Sequence, residues 1–252
     1  MLNFFKVRIN HGSQAIKDIK KATVNDMHRG FPVVDEAFCL EKCEDCINCC
    51  PTGAISKSPL SLDIGKCVFC GECERLCKNK AIQFTNYHKI STTDRQNLII
   101  NKKLSYDDFN NNSIKIRKDI IKIFKRSLKI RQVSCGGCNA CEMELNACSN
   151  VNFDMGRFGI DIVASPRHSD CILITGPITE NMADALEDTY QCSPNPKIVI
   201  LAGSCAISGG MFAKSNAINR EFLAKYKIDL YIPGCPVHPL TVINGILGLL
   251  GR

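Results

Sequence analysis

Apolar and polar positions alternate in two distinct ways along this chain. From about residue 132 onward, apolar runs at 159–164, 171–175, 197–201 and 228–232 predict short β-strands. Residues 181–190 and 240–250 read as helices, the second entered through Pro239. Strands alternating with helices predict a parallel sheet with helices on its faces, and such sheets build their sites at the carboxyl ends of strands. Cys205 and Cys235 each come a few residues after one of these strands. Upstream, Ile116, Ile120, Phe124 and Leu128 recur at a spacing close to four, which predicts a helix within 114–131. That stretch carries eight Lys or Arg and one acid, Asp119. Its plain reading is a basic linker helix packed on its own protein; a membrane-surface or partner-docking role is the sharper alternative.

Residues 1 to about 90 are cysteine-rich, with short apolar segments and an internal repeat. A shift of 27 residues lays Cys43, Cys46 and Cys50 on Cys70, Cys73 and Cys77, and Ala54-Ile55 on Ala81-Ile82. The match slips once, because Cys67 maps to Leu40 while Cys39 stands one residue earlier. Two copies of one small binding unit are expected.

Cysteine is the abnormal part of the composition, with 17 among 252 residues. A secreted disulfide scaffold does not fit: the count is odd, and the first residues lack the long apolar stretch of a signal peptide. Core packing is the reading for Cys148, Cys171 and Cys192, which lack motif spacing. The remaining cysteines are grouped too tightly for that and point to metal ligation in a reducing compartment. The net charge of +7 suits an acidic partner or anionic lipid headgroups. With no Trp and no base-stacking motif, nucleic acid is not an expected partner. No apolar run approaches the ~20 residues of a membrane-spanning helix.

The second copy of the repeat, Cys67-x2-Cys70-x2-Cys73-x3-Cys77, has ferredoxin spacing, in which the fourth cysteine of each run serves the other cluster. The first copy is Cys39-x3-Cys43-x2-Cys46-x3-Cys50-Pro51. Cross-ligation predicts one cluster on Cys39, Cys43, Cys46 and Cys77, and another on Cys67, Cys70, Cys73 and Cys50. Cys49 is then a spare. Zinc ribbons use separated CxxC pairs, not two complete runs of four. The last third offers Cys135-x2-Cys138-x2-Cys141-Glu142, then Cys205 in GSCAISGG and Cys235 in PGCPVHP. By spacing alone this set suits a cluster or zinc. Small residues there let backbone N–H groups approach sulfur.

Residues 133–252, with CNACEMELNAC, FDMGRFGIDIVASPRHSD, LAGSCAISGGMF and LYIPGCPVHPLTVINGIL, resemble a known family. It is the cluster-bearing small subunit shared by NADH:quinone oxidoreductase and membrane-bound [NiFe] hydrogenases such as formate hydrogenlyase. The first 90 residues, with FFKVRI, HRGFP and both cysteine runs, resemble the two-cluster ferredoxin subunit of the same complexes, so the chain looks like a fusion of the two. The resemblance implies Cys138, Cys141, Cys205 and Cys235 as ligands of a third [4Fe–4S] cluster, with Cys135 a spare or a rival to Cys138. Quinone-reducing members carry adjacent cysteines at the first two positions; here Asn139 and Ala140 intervene, as on the hydrogenase side. Two features depart from the ferredoxin pattern: the extra residue after Cys39, and Lys78 where a proline is usual.

The expected architecture is an α+β two-[4Fe–4S] ferredoxin-like domain at 1–90, a basic, partly helical linker at 91–131, and an α/β domain with a parallel, flavodoxin-like sheet at 132–252. The implied role is electron transfer in a membrane-associated oxidoreductase. Its partners would be a hydrogenase-like large catalytic subunit, membrane-embedded subunits and a soluble electron donor or acceptor. The chain would lie in the cytoplasm, peripheral on the inner face of the membrane. An NADH:quinone oxidoreductase-like complex is the nearest alternative; a non-catalytic iron–sulfur scaffold or redox sensor is the rival of another class. Glu142 reads as a proton carrier or a helix-start acid, Arg157 and Arg167 as cluster-side arginines or structural ion pairs. His168 and His238 read as tuning residues or ordinary hydrogen-bonding ones.

Overall fold

The computed structural model describes residues 2–12, 15–40, 42–101, 104–116, 118–124 and 126–252, without the side chains at 2, 118, 119 and 121. Five short strands build the N-terminal part: β1 (Pro32–Val34), β2 (Ile55–Lys57), β3 (Leu60–Asp63), β4 (Ile82–Phe84) and β5 (Ile99–Asn101). β1 pairs antiparallel with β4, and β3 pairs antiparallel with both β2 and β5. The 27-residue repeat is visible in these elements. The helix Asp45–Asn48 and β2 in the first copy correspond to the helix Glu72–Leu76 and β4 in the second. Gly53 and Lys80 occupy matching positions, and both have positive φ, 59° and 56°. A turn that glycine adopts freely is thus repeated by a lysine at a steric cost.

The C-terminal part contains β6 (Leu128–Ser134), β7 (Ile160–Ile162), β8 (Cys171–Thr175), β9 (Ile198–Ala202) and β10 (Leu230–Ile232). All pair in parallel in the order β10-β9-β8-β6-β7. Counted within the sheet, this is the 2-1-3-4-5 order of doubly wound flavodoxin-like folds, with its switch point between β6 and β8. β8 and β9, CILIT and IVILA, are buried at every residue, as strands covered on both faces must be. The helices Glu180–Cys192 and Pro239–Leu249 flank the sheet, the second nearly apolar throughout and almost wholly buried.

The basic stretch departs from a single helix. A helix spans Lys118–Phe124, and Leu128 then opens β6. The reason is tertiary: Leu128, Ile130 and Val133 are buried between β7 and β8 in the middle of the sheet, which outweighs a spacing of four. Ile116 is exposed. Arg117 and Lys125, and the side chains of Lys118 and Asp119, lie outside the described residues.

The two parts are closely joined. Thr92 and Tyr231 exchange backbone hydrogen bonds of 3.0 and 2.8 Å, covering the free edge of β10. Next to them, Thr241 Oγ1 donates to the His88 carbonyl at 2.7 Å and Ser91 Oγ donates to the Thr241 carbonyl at 3.2 Å. One apolar core runs from Phe31 and Leu62 through to Val133 and Ile174.

Candidate metal centres

Three groups of thiols lie on tight turns next to these elements. Cys39, Cys43, Cys46 and Cys77 line one cavity of about 240 Å³, closed by Phe38, Leu60 and Ile82. Burial pushes the Cys46 thiol up to about 11, with Cys39, Cys77 and Cys43 adding to the rise. The last residue of the second run thus faces the first three of the first run.

Cys50 and Cys49 face the other way and line a narrower cavity, of about 20 Å³, with Cys67, Cys70 and Cys73. Cys67 and Cys73 are each pushed up to about 12, burial being the main cause and neighbouring thiols contributing. Cys49 therefore shares this cavity. The two copies differ from it in one respect: Cys50 Sγ accepts the Ala54 N–H at 3.2 Å, and Cys77 Sγ accepts the Ala81 N–H at 3.3 Å. The repeat places the same N–H···S bond in both halves, on the alanines that the sequence shift aligned. Phe69 N–H likewise donates to Cys67 Sγ at 3.3 Å.

The third group lies at the carboxyl end of the parallel sheet. Cys138 and Cys141 follow β6, Cys205 follows β9 and Cys235 follows β10. Burial pushes the Cys141 thiol up to about 12; an N–H from Val237 opposes this, and Cys205 and Cys235 add to it. Cys205 is pushed up to about 11, first by burial, then by Cys235 and Cys138. Two glycines leave room for the sulfurs. A Cβ on Gly203 would stand 2.7 Å from Cys141 Sγ, and one on Gly210 would stand 3.0 Å from Cys205 Sγ. Cys138 and Cys235 are exposed, so this group opens to the surface, and Met211 and Phe212, which follow Gly210, are exposed as well.

Cys135 takes another place. It is fully buried, its thiol directed at the Val133 carbonyl, and its own carbonyl accepts N–H groups from Ile178 and Thr179. Burial and then Glu142 push this thiol up to about 12, with no other cysteine contributing. Cys148 and Cys171 are buried in the core, but Cys192 is exposed because it ends the helix Glu180–Cys192.

Glu142 lies in the first turn of the helix Ala140–Ala147, where Ser134 Oγ at 2.6 Å and Thr175 Oγ1 at 2.5 Å both donate to its Oε1. Arg157 donates to the Ile16 carbonyl and lies over Phe158, while Arg167 and His168 are exposed. His238 accepts the Leu240 N–H and contacts the rings of His28 and Phe153, beside a cavity of about 300 Å³ shared with Arg29 and Cys235. Arg220, which no motif marks, donates to the carbonyls of Pro177, Cys205, Ala206 and Ile207. Nothing in the sequence separates it from other surface arginines, because its acceptors are backbone atoms.

The donor sets suit soft, thiophilic metal. Among the described residues, no three His, Cys, Asp or Glu side chains converge closely enough to hold a single ion. The thiols of the first group surround a space many times larger than one ion, as a polynuclear group requires. The second cavity would have to open to take such a group, and its donors are of the same type.

A family model described as NADH ubiquinone oxidoreductase, 20 Kd subunit, matches residues 138–249, beginning at Cys138 and leaving out Cys135. Formate hydrogenlyase subunit 7 of Escherichia coli is 40% identical over 136 residues, 54% of this chain and 53% of that protein. The chain thus spans about half the length of that relative. A probable membrane-bound hydrogenase subunit, mbhJ, of Pyrococcus furiosus is 35% identical over 128 residues, 51% of this chain and 77% of that one. Among solved structures, one of an archaeal membrane-bound sulfane sulfur reductase matches at 38% identity and a TM-score of 0.45, covering 50% of this chain and 70% of that chain.

Proposed function

The chain belongs to the family of the NADH ubiquinone oxidoreductase 20 Kd subunit, and from that membership we propose that it is the electron-transfer subunit of a [NiFe]-hydrogenase or formate-hydrogenlyase-like complex. The ligands on this reading are Cys39, Cys43, Cys46 and Cys77; Cys50, Cys67, Cys70 and Cys73; and Cys138, Cys141, Cys205 and Cys235. The N-terminal unit is read as a two-cluster ferredoxin-like domain. One observation carries the proposal: the turn of the second thiol group is joined directly to that of the third, Ser204 Oγ donating to the Cys67 carbonyl at 2.5 Å.

A [4Fe–4S] cluster supplies one-electron transfer at each group. The chain's residues do the rest. Twelve thiolates would hold the metal, and burial disfavours the free anion at Cys46, Cys67, Cys73, Cys141, Cys205 and Cys235, so binding is coupled to loss of the thiol protons there. The N–H groups of Ala54, Ala81, Phe69 and Val237 point at ligand sulfurs, which favours the reduced state. Leu62, Phe69, Phe84 and Ile207 belong to the apolar core shared by the two parts. At the open third group, Met211 and Phe212, which follow Gly210 beside Cys205, are exposed apolar side chains suited to a large catalytic subunit that carries the chemistry. Among the described residues no helix is long and apolar enough to cross a membrane. Attachment to the membrane would therefore run through partner subunits.

The separation of Cys138 and Cys141 by Asn139 and Ala140 favours a hydrogenase-type partner over a quinone-reducing one. The test is to tag the chain, recover it anaerobically from detergent-solubilised native membranes, and measure nickel and iron. Nickel with a large partner subunit, and iron for three clusters, is the expected result. Iron without nickel would move the reading to the quinone-linked relatives, and a protein with zinc and no acid-labile sulfide would overturn it.

A further inference from the structure

We propose that Arg220 is a positioning residue and fixed counter-charge for the third thiol group, holding the turn that carries Cys205 and raising the reduction potential of the cluster bound there. The inference rests on the reading of Cys138, Cys141, Cys205 and Cys235 as ligands.

In the helix Ser204–Ser208 the Cys205 carbonyl accepts the Gly209 N–H at 2.8 Å, while the carbonyls of Ala206 and Ile207 are left to partners outside the helix. Arg220 is that partner. Its Nη1 donates to Cys205 O at 3.2 Å, and its Nη2 donates to Ala206 O and Ile207 O at 2.9 Å each. Nη1 also reaches Pro177 O at 3.1 Å, in the loop after β8. One rigid fork thus ties the turns after β8 and β9, and one of its acceptors belongs to a ligand. A planar guanidinium spans these four oxygens; an ammonium would reach fewer of them but keep the charge and part of the tie.

The charge lacks an acidic partner. Among the described residues the ion pairs are Arg75–Glu72, Arg95–Asp63, Lys129–Asp161 and Lys225–Glu187, and none includes Arg220. Its hydrogen bonds go to neutral carbonyls, yet the guanidinium is half-buried. A buried cation without an anion is costly. Three of its four acceptors lie in the turn that carries Cys205, so the nearest anion would be the group bound at that cysteine. A thiolate-bound cluster is anionic and becomes more so on reduction. A fixed cation beside it therefore stabilises the reduced form. The second group has a weaker counterpart, since Arg29 donates to Phe69 O but is exposed and lies near Glu72. The asymmetry makes the third site the better electron acceptor and draws electrons towards the partner.

The test is potentiometric EPR on the full chain, purified anaerobically in its complex, with the third signal identified by its loss in Cys235→Ser. Arg220→Lys should keep that cluster near the wild-type potential. Arg220→Gln should move it to lower potential and change its line shape, while the other two signals stay where they are. An unchanged potential in Arg220→Gln overturns the proposal. Should Arg220→Gln lose the cluster, Arg220→Lys decides: a wild-type potential supports the charge role, and a lowered potential or a lost cluster overturns it. A wild-type chain with no third signal would refute the ligand assignment itself, which separates that failure from this one.

Discussion

The buried hydroxyl of Ser204 donates a 2.5 Å hydrogen bond to the carbonyl oxygen of Cys67, joining the residue before one proposed ligand to the backbone of another. Ser204→Ala leaves that carbonyl without its partner, at a cost of about 1–2 kcal/mol. Iron content should stay at the wild-type level while unfolding shifts to lower denaturant. Rapid-mixing EPR should show slower filling of the third cluster from the N-terminal ones. Wild-type kinetics would remove Ser204 from the path.

Gly203 has a φ of 94°, and a Cβ there would meet Cys141 Sγ at 2.7 Å. Gly203→Ala combines backbone strain of roughly 1–3 kcal/mol with displacement of a proposed ligand sulfur. The third cluster should be lost and the other two retained, as read by iron analysis and EPR. Full iron content would show that Cys141 is not held as described.

Neighbouring cysteines should behave differently in two places. Cys50→Ala should lose about four irons of about twelve, whereas Cys49→Ala should lose none, because only Cys50 shares the N–H···S pattern of Cys77. Cys138→Ala should likewise cost a cluster that Cys135→Ala keeps. The reverse pattern in either pair would redraw that site.

His88 is 6% exposed, and its Nε2 has no hydrogen-bond partner among the described residues. Burial, then His238, hold its pKa down at about 4. In the unfolded chain it ionises near 6.5. The unfolded state therefore binds the extra proton between these values, and stability falls as pH drops through this window. Between pH 7 and 5 the loss from His88 alone should be about 2 kcal/mol, measured by anaerobic urea unfolding, and His88→Leu should make that slope shallower, leaving the share of His238, which burial also holds down at about 4. An equal slope in the variant would assign the effect to other groups.

Met211 and Phe212 are 58% and 47% exposed beside the third thiol group. A Met211→Glu, Phe212→Asp double variant should retain all three clusters but no longer copurify with the large subunit. Undiminished copurification would place the partner elsewhere.

Much of this was legible in the residues, for identifiable reasons. Cys171–Thr175 reads as a strand because an apolar run buried on both faces leaves an unbroken signature. The 27-residue shift is legible because each copy uses the same helix, turn and strand. β6 was not legible: its Lys129 and Arg131 keep charge within a central strand, and the helix before it blurs the period. Ordinary backbone carbonyls hide Arg220 for the same kind of reason, since no side-chain pattern records them. The exposure of Cys192 depends on where its helix stops, which spacing does not reveal.

The pairing of Thr92 with Tyr231 has a kinetic meaning. Between separate proteins, electron transfer waits on diffusion, orientation and charge steering. A strap that is both covalent and hydrogen-bonded turns that encounter into a unimolecular event with a fixed effective concentration. On the proposed function, donor and acceptor sites would also be made in equal number by a single act of translation, so that no excess of one half could short-circuit electrons to a bystander.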